Sequence, residues 1–118
     1  MENTTNVIKI LIVDDQEGIR QLLTEACALL GYEAKTAANG DEALQLIGQE
    51  DFQVALVDLK MGGLNGFETM KRLKEKRKDM RGVFMSGYGL REMEGNYILN
   101  KPFDLQEMED VLEKVLNN

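Results

Sequence analysis

The sequence predicts an open α/β sandwich built on a parallel sheet. Short, nearly continuous apolar runs alternate with segments whose apolar residues recur at helical spacing. The most distinctive polar residues fall at the ends of the apolar runs. Alternating strands and helices favour parallel pairing through right-handed crossovers, with helices on both faces of the sheet.

Val7, Ile8, Ile10, Leu11, Ile12 and Val13 form the first run, as expected of a strand covered on both faces. Ile19, Leu22, Leu23, Ala26 and Leu30 then follow helical spacing, and Gly31 closes that helix as an unhindered left-handed cap. A short strand at Tyr32 to Ala37 precedes a helix from about Asp41 to Gln49, with Ala43, Leu44 and Ile47 turned inward. Phe52 to Val57 is the third strand; Phe67, Met70 and Leu73 mark a third helix; Gly82 to Met85 is the fourth strand and Tyr97 to Leu99 a brief fifth. Asp104 and Glu107 make a capping box ahead of Leu105, Met108, Leu112 and Val115. No Pro/Ser-rich linker or repeat interrupts the pattern. It therefore reads as one domain over residues 1–118, with residues 1–6 a polar N-terminal extension.

Composition removes several classes of function. The 118 residues carry a net charge of −7, one Cys, one Pro, no His and no Trp. Without His there is no Ser-His-Asp or Cys-His relay and no zinc site of the usual composition, so a metal must be held by oxygen. The lone Cys27 suits a reducing, cytoplasmic setting. The acidic balance argues against direct nucleic-acid binding; the one basic stretch, Lys71 to Arg81, is interrupted by Glu75 and Asp79 and reads as the wet face of a helix and its exit. No apolar run approaches the roughly 20 residues that span a bilayer, so no membrane partner is expected.

In an open parallel sheet, ligands bind beyond the carboxyl ends of the strands, where strand order reverses. Asp14 and Asp15 end the first strand, Asp58 the third and Ser86 the fourth, and Lys101 follows the fifth. With the first and third strands neighbours about 4.8 Å apart, three carboxylates converge and raise one another's pKa. Mg²⁺ and the Lys101 ammonium would relieve that repulsion, because carboxylate and carbonyl oxygens favour a hard cation. A carboxylate with a metal, a lysine and a hydroxyl beside it is arranged to accept a phosphoryl group. The plainer reading makes Asp14 and Asp15 helix-capping turn residues, Ser86 a turn residue and Lys101 a surface lysine.

Ile12-Val13-Asp14-Asp15, Leu56-Val57-Asp58-Leu59-Lys60-Met61, Asn65-Gly66, Met85-Ser86-Gly87-Tyr88 and Lys101-Pro102-Phe103, in that order, resemble the response-regulator receiver domains of two-component signalling. Each piece alone is common, but the ordered set covers nearly the whole chain. The resemblance implies a flavodoxin-like (βα)5 three-layer sandwich with five parallel strands in the order 2-1-3-4-5. It implies that Asp58 takes a phosphoryl group from a sensor histidine kinase or phosphotransfer protein, and that a downstream protein or effector domain reads the result. Such a receiver is not an enzyme beyond catalysing its own phosphorylation and dephosphorylation. Mg²⁺ would lie on Asp14, Asp15, Asp58 and the Lys60 backbone carbonyl; Ser86 and Lys101 would take phosphoryl oxygens, and Gly87 would leave their path open. The Lys101-Pro102 bond is cis in that family, which would aim the ammonium at the site.

Some positions depart from the family pattern. Gly62-Gly63 stand where a proline is usual, which implies a more mobile loop. Only 14 residues separate Ser86 from Lys101, so the fourth helix is expected to be short, around Leu90 to Glu94, or missing. The usual switching aromatic is replaced by Ile98, with Tyr97 pointing to the opposite side of the strand and Tyr88 a substitute beside Ser86. Lys60 and Tyr88 would flank the path of a hydrolytic water. The competing expectations are a degenerate receiver acting as a phosphorylation-independent interaction module, and a phosphatase or phosphotransferase using an aspartyl phosphate, which 118 residues leave too little room to cap.

Overall fold

In the computed structural model, residues 7–61, 65–89, 92–93 and 95–117 are described. The elements run β1 (Lys9–Val13), α1 (Glu17–Leu29), β2 (Glu33–Ala37), α2 (Gly40–Ile47), β3 (Val54–Asp58), α3 (Gly66–Lys76), β4 (Arg81–Ser86), β5 (Glu92–Met93), β6 (Asn96–Asn100) and α4 (Leu105–Leu116). The sheet order is β2-β1-β3-β4-β6-β5, with the first five strands parallel and β5 antiparallel at the edge. Leaving β5 aside, this is the expected 2-1-3-4-5 arrangement.

Successive strand residues face opposite layers. Leu11, Val13, Ala55 and Val57 pack under Ala43 and Ile47 of α2 and Met70 and Leu73 of α3. Ile10, Ile12, Val54 and Leu56 pack under Leu23 and Cys27 of α1 and Met108, Leu112 and Val115 of α4. Both faces of β1 and β3 are thus covered, which is why these strands read as unbroken apolar runs. Cys27 is fully buried, and that burial pushes its thiol up to about 11. Gly31 takes φ +88 just beyond α1, as its capping role requires. Among the described residues no helix is long and apolar enough to cross a membrane.

Val7, read as part of the first covered strand, lies ahead of β1 and is 47% exposed, and two helix side chains expected to face inward do not. Leu22 is 60% exposed and Leu105 42%, while the adjacent Leu23 and the next-turn Met108 take the core positions. Both leucines sit at the margin of their helix's apolar stripe, where helical spacing alone does not separate core from border. The region expected to hold a short fourth helix instead gives the two-residue β5, which turns back through Gly95 at φ +79 to pair with β6. Leu90, Arg91 and Glu94, which figured in that expectation, lie outside the described residues, as do Gly62 and Gly63.

The capping box at α4 forms as expected: Asp104 accepts from the Glu107 N–H at 2.8 Å, and Glu107 accepts from the Asp104 N–H at 3.0 Å. Asp104→Ala should therefore lower the unfolding free energy by about 1 kcal/mol, read from urea melts. An unchanged midpoint would show that the cap contributes nothing.

Candidate functional site

Because β1, β3, β4 and β6 run in the same direction, the residues that end them share one edge. Strand order reverses there, with β1 lying between β2 and β3. The register sets Val13 beside Val57, Asp58 beside Met85, and Ser86 beside Asn100. Asp14, Asp58, Ser86 and Lys101 are thereby collected at the mouth of the crevice. The backbone stitches the edge together: the Asp14 N–H donates to the Ala37 carbonyl, Leu59 N–H to that of Met85, and Lys101 N–H to that of Ser86.

A ligand oxygen from each of Asp14, Asp15 and Asp58 lies within 4.8 Å of the others. Asp14 is fully buried, Asp58 is 7% exposed, and Asp15 is exposed. The Lys101 ammonium sits 3.3 Å from Asp14 Oδ2 and 3.5 Å from Asp58 Oδ2, bridging the two buried carboxylates. The Lys101–Pro102 peptide bond is cis. The Asp14 side chain also accepts the Gln16 N–H at 2.9 Å, and Asp58 Oδ1 accepts the Lys60 N–H at 3.3 Å. Ser86 is buried, and its hydroxyl oxygen accepts the Tyr88 N–H at 3.0 Å.

The Asp58 carboxyl is held above its ordinary value. Burial is the chief cause, the Asp14 charge adds a smaller push, and the Lys101 charge and Lys60 N–H pull the other way. Three carboxylates facing one ammonium leave excess negative charge in a partly desolvated pocket, and every donor is a hard oxygen. That set fits Mg²⁺, which keeps several waters and needs only one or two carboxylates.

The cleft above these groups, about 270 Å³, is lined by Asp58, Lys60, Ser86, Tyr88, Lys101 and Gln16 among others. A Cβ on Gly87 would meet nothing within 4 Å, so that side of the cleft is open. Tyr88 is 65% exposed and Lys60 lies on the surface. Tyr97 and Ile98 are half-buried against opposite faces of the sheet, Tyr97 on the α1/α4 side and Ile98 on the α2/α3 side.

Three contributors escape a reading of the sequence alone. Gln16 stands at the N-terminal boundary of α1 without a side-chain capping bond and lines the cleft. The Arg20 guanidinium donates to the Asp14 carbonyl at 2.9 Å, fixing the backbone under the buried carboxylate. Gly66 opens α3 where its Cα almost touches the end of β3: a Cβ there would lie 2.2 Å from the Asp58 carbonyl oxygen. The Asn65-Gly66 pair signals a helix start but not this approach.

Fold and site together define an open parallel α/β module with a lysine-backed acidic cleft at the carboxyl edge of its sheet. The sequence matches the response regulator receiver domain over residues 10–113, and the chain belongs to that family of two-component signalling proteins. It is 39% identical to sporulation initiation phosphotransferase F of Bacillus subtilis, with 92% of this chain and 93% of that protein aligned. It is 33% identical to the DNA-binding transcriptional regulator NtrC of Azospirillum brasilense over 92% of this chain but 24% of that longer protein. Among solved structures, the response regulator TrrA from Thermotoga maritima in complex with Mg²⁺–BeF superposes with a TM-score of 0.83 at 29% identity, covering 92% of this chain and 99% of TrrA. TrrA has also been solved in complex with the histidine kinase ThkA.

Proposed function

We propose that this receiver accepts a phosphoryl group on Asp58 from a histidine kinase or phosphotransfer protein and passes the change to a downstream protein. The observation that carries the reading is the Lys101 ammonium shared between Asp14 and Asp58 beside a third carboxylate. One Asp58 oxygen attacks the phosphorus of a phosphoimidazole; the P–O bond forms as the P–N bond breaks, and the departing imidazole nitrogen takes a proton from solvent. Asp14, Asp15, Asp58 and the Lys60 carbonyl would hold Mg²⁺, which when bound would neutralise charge on the phosphoryl oxygens. Lys101 then turns from the carboxylate to a phosphoryl oxygen, and the Ser86 hydroxyl donates to another. The Ser86 oxygen can keep the Tyr88 N–H while its proton is donated, which ties the loop after β4 to the modified site. The complexes of TrrA with Mg²⁺–BeF and with a kinase support the same chemistry here.

Incubation with acetyl phosphate and Mg²⁺, followed by peptide mapping of the acyl phosphate, tests the proposal. Label on Asp58 that chelation abolishes is the expected result; no label would favour the second reading, a phosphorylation-independent interaction module. That second reading draws on the two-residue β5 that stands where a fourth helix would be.

Lys60 and Tyr88 flank the cleft, and neither offers the carboxylate or imidazole that would activate a hydrolytic water. Self-dephosphorylation should therefore be slow. The double change Lys60→Glu and Tyr88→Ala should shorten the acyl-phosphate lifetime roughly tenfold or more, followed as loss of label with time. An unaltered lifetime would assign the slow step elsewhere.

A further inference from the structure

On the α2/α3 side of the sheet, α2 and α3 cover β1 and β3, but among the described residues no helix lies beyond α3 over β4 and β6. A groove of about 400 Å³ runs along α3 there, with Phe67 and Phe84 at its apolar base and Lys71, Lys74, Glu75 and Lys78 on its rim. The two rings pack edge to face with centroids 5.5 Å apart, so the base is fixed. In a chain of net charge −7, a groove edged by three cations and one anion is a local reversal of sign.

Two neighbouring cations of this segment are occupied, and Lys76 at the end of α3 does not line the groove. Arg72 pairs with Glu68 at 3.1 Å, and Arg77 pairs with Asp51 at 2.6 Å while donating to the Ile47 carbonyl. Lys71, Lys74 and Lys78 make no ion pair among the described residues. Lys71 and Lys78 are exposed and Lys74 is half-buried. Burial, with the nearby Arg81 charge, pushes the Lys74 ammonium below its ordinary value. A partly desolvated cation without a counter-ion is unfavourable, and an incoming carboxylate would relieve it. Lys71 and Lys74 lie one turn apart on α3, a spacing that carboxylates one turn apart on a facing helix would match, and Lys78, beyond the end of α3, lines the same groove.

We propose that this groove is a docking site for an acidic amphipathic helix of a partner protein. Its apolar side would lie on Phe67 and its Asp or Glu side chains along these lysines, a helix-in-groove mode of recognition. Nucleic acid would also seek three lysines, but it would meet the field of an otherwise acidic molecule and gain nothing from the aromatic base. The proposal does not depend on Asp58, and an Asp58→Ala chain should bind equally well.

The test is an NMR titration of the ¹⁵N-labelled chain with two designed helical peptides that share one leucine face and differ only in carrying Glu or Lys on the other. The Glu peptide should shift signals of Phe67, Lys71, Lys74 and Lys78, weaken with added salt, and lose about tenfold or more in affinity against the triple variant K71E/K74E/K78E. The double variant K71E/K78E touches only exposed positions and should show the same trend if the triple variant folds poorly. Equal binding of the Lys peptide, shifts confined to the α1/α4 side at Leu22 and Leu105, undiminished binding by both variants, or tighter binding of a DNA oligonucleotide would each overturn the proposal.

Discussion

Asp58→Asn is expected to take up no phosphoryl group from acetyl phosphate under conditions that label the parent chain. The amide keeps the shape of the carboxylate but supplies no anionic nucleophile. The same variant should change the pH dependence of stability. Burial holds the Asp58 carboxyl above its unfolded value, so in the interval between the two the native chain binds a proton that the unfolded chain has lost. That contribution is complete below the unfolded value, about 3.9, and is lost as pH rises through the folded value. In a chelating buffer the parent chain should therefore lose stability relative to Asp58→Asn as pH rises across this interval, measured by urea melts. Parallel curves would show that the carboxyl is not held in its protonated form by burial. Saturating Mg²⁺ should raise the parent's stability by mass action, about 2.7 kcal/mol at a hundredfold excess over its dissociation constant, and the variant's by less.

Gly66→Ala should produce the largest loss of stability of any single methyl added to this chain at a described glycine bordering the site. The new Cβ would lie 2.2 Å from the Asp58 carbonyl oxygen, 2.7 Å from Leu59 Cα and 2.9 Å from the Asp58 carbonyl carbon. All three are backbone atoms, so no flexible side chain can yield, and either α3 or the end of β3 must move. Overpacking of this kind costs about 3 kcal/mol, well above the gain in helix propensity of about 1 kcal/mol or less. Because the displaced atoms belong to Asp58 and its neighbour, and Asp58 is the proposed phosphoryl acceptor, phosphoryl uptake should fall with stability. Gly18→Ala is the control. Gly18 lies in the first turn of α1 with nothing within 4 Å of an added Cβ, so the same substitution should stabilise by about 0.5 kcal/mol. Equal effects at the two positions would refute the steric account.

These cases mark what the sequence makes legible. Apolar runs such as Ile10 to Val13 and Val54 to Val57 announce buried strands, and their polar terminators, Asp14 and Asp58, follow directly onto the binding edge. The carboxylate cluster was accessible for that reason: it depends only on strand ends and strand order. Gly66 and Arg20 were not, since each acts through a close approach between elements that spacing along the chain does not encode. The strand β5 escaped for a different reason. Glu92–Met93 has neither an apolar run nor alternation, and it pairs only because Gly95 reverses the chain.

That small reversal also governs how the sheet ends. A parallel sheet whose last member was β6 alone would present a full-length ribbon of main-chain groups to any extended polypeptide, inviting strand addition and fibre growth. By folding back against Tyr97 and Asn96, β5 occupies the first half of that rim and reverses its polarity, so a further parallel strand cannot be appended in register there. Two residues are enough to make the border of the sheet short and mismatched, a safeguard against self-assembly on the side where a helix would otherwise screen it.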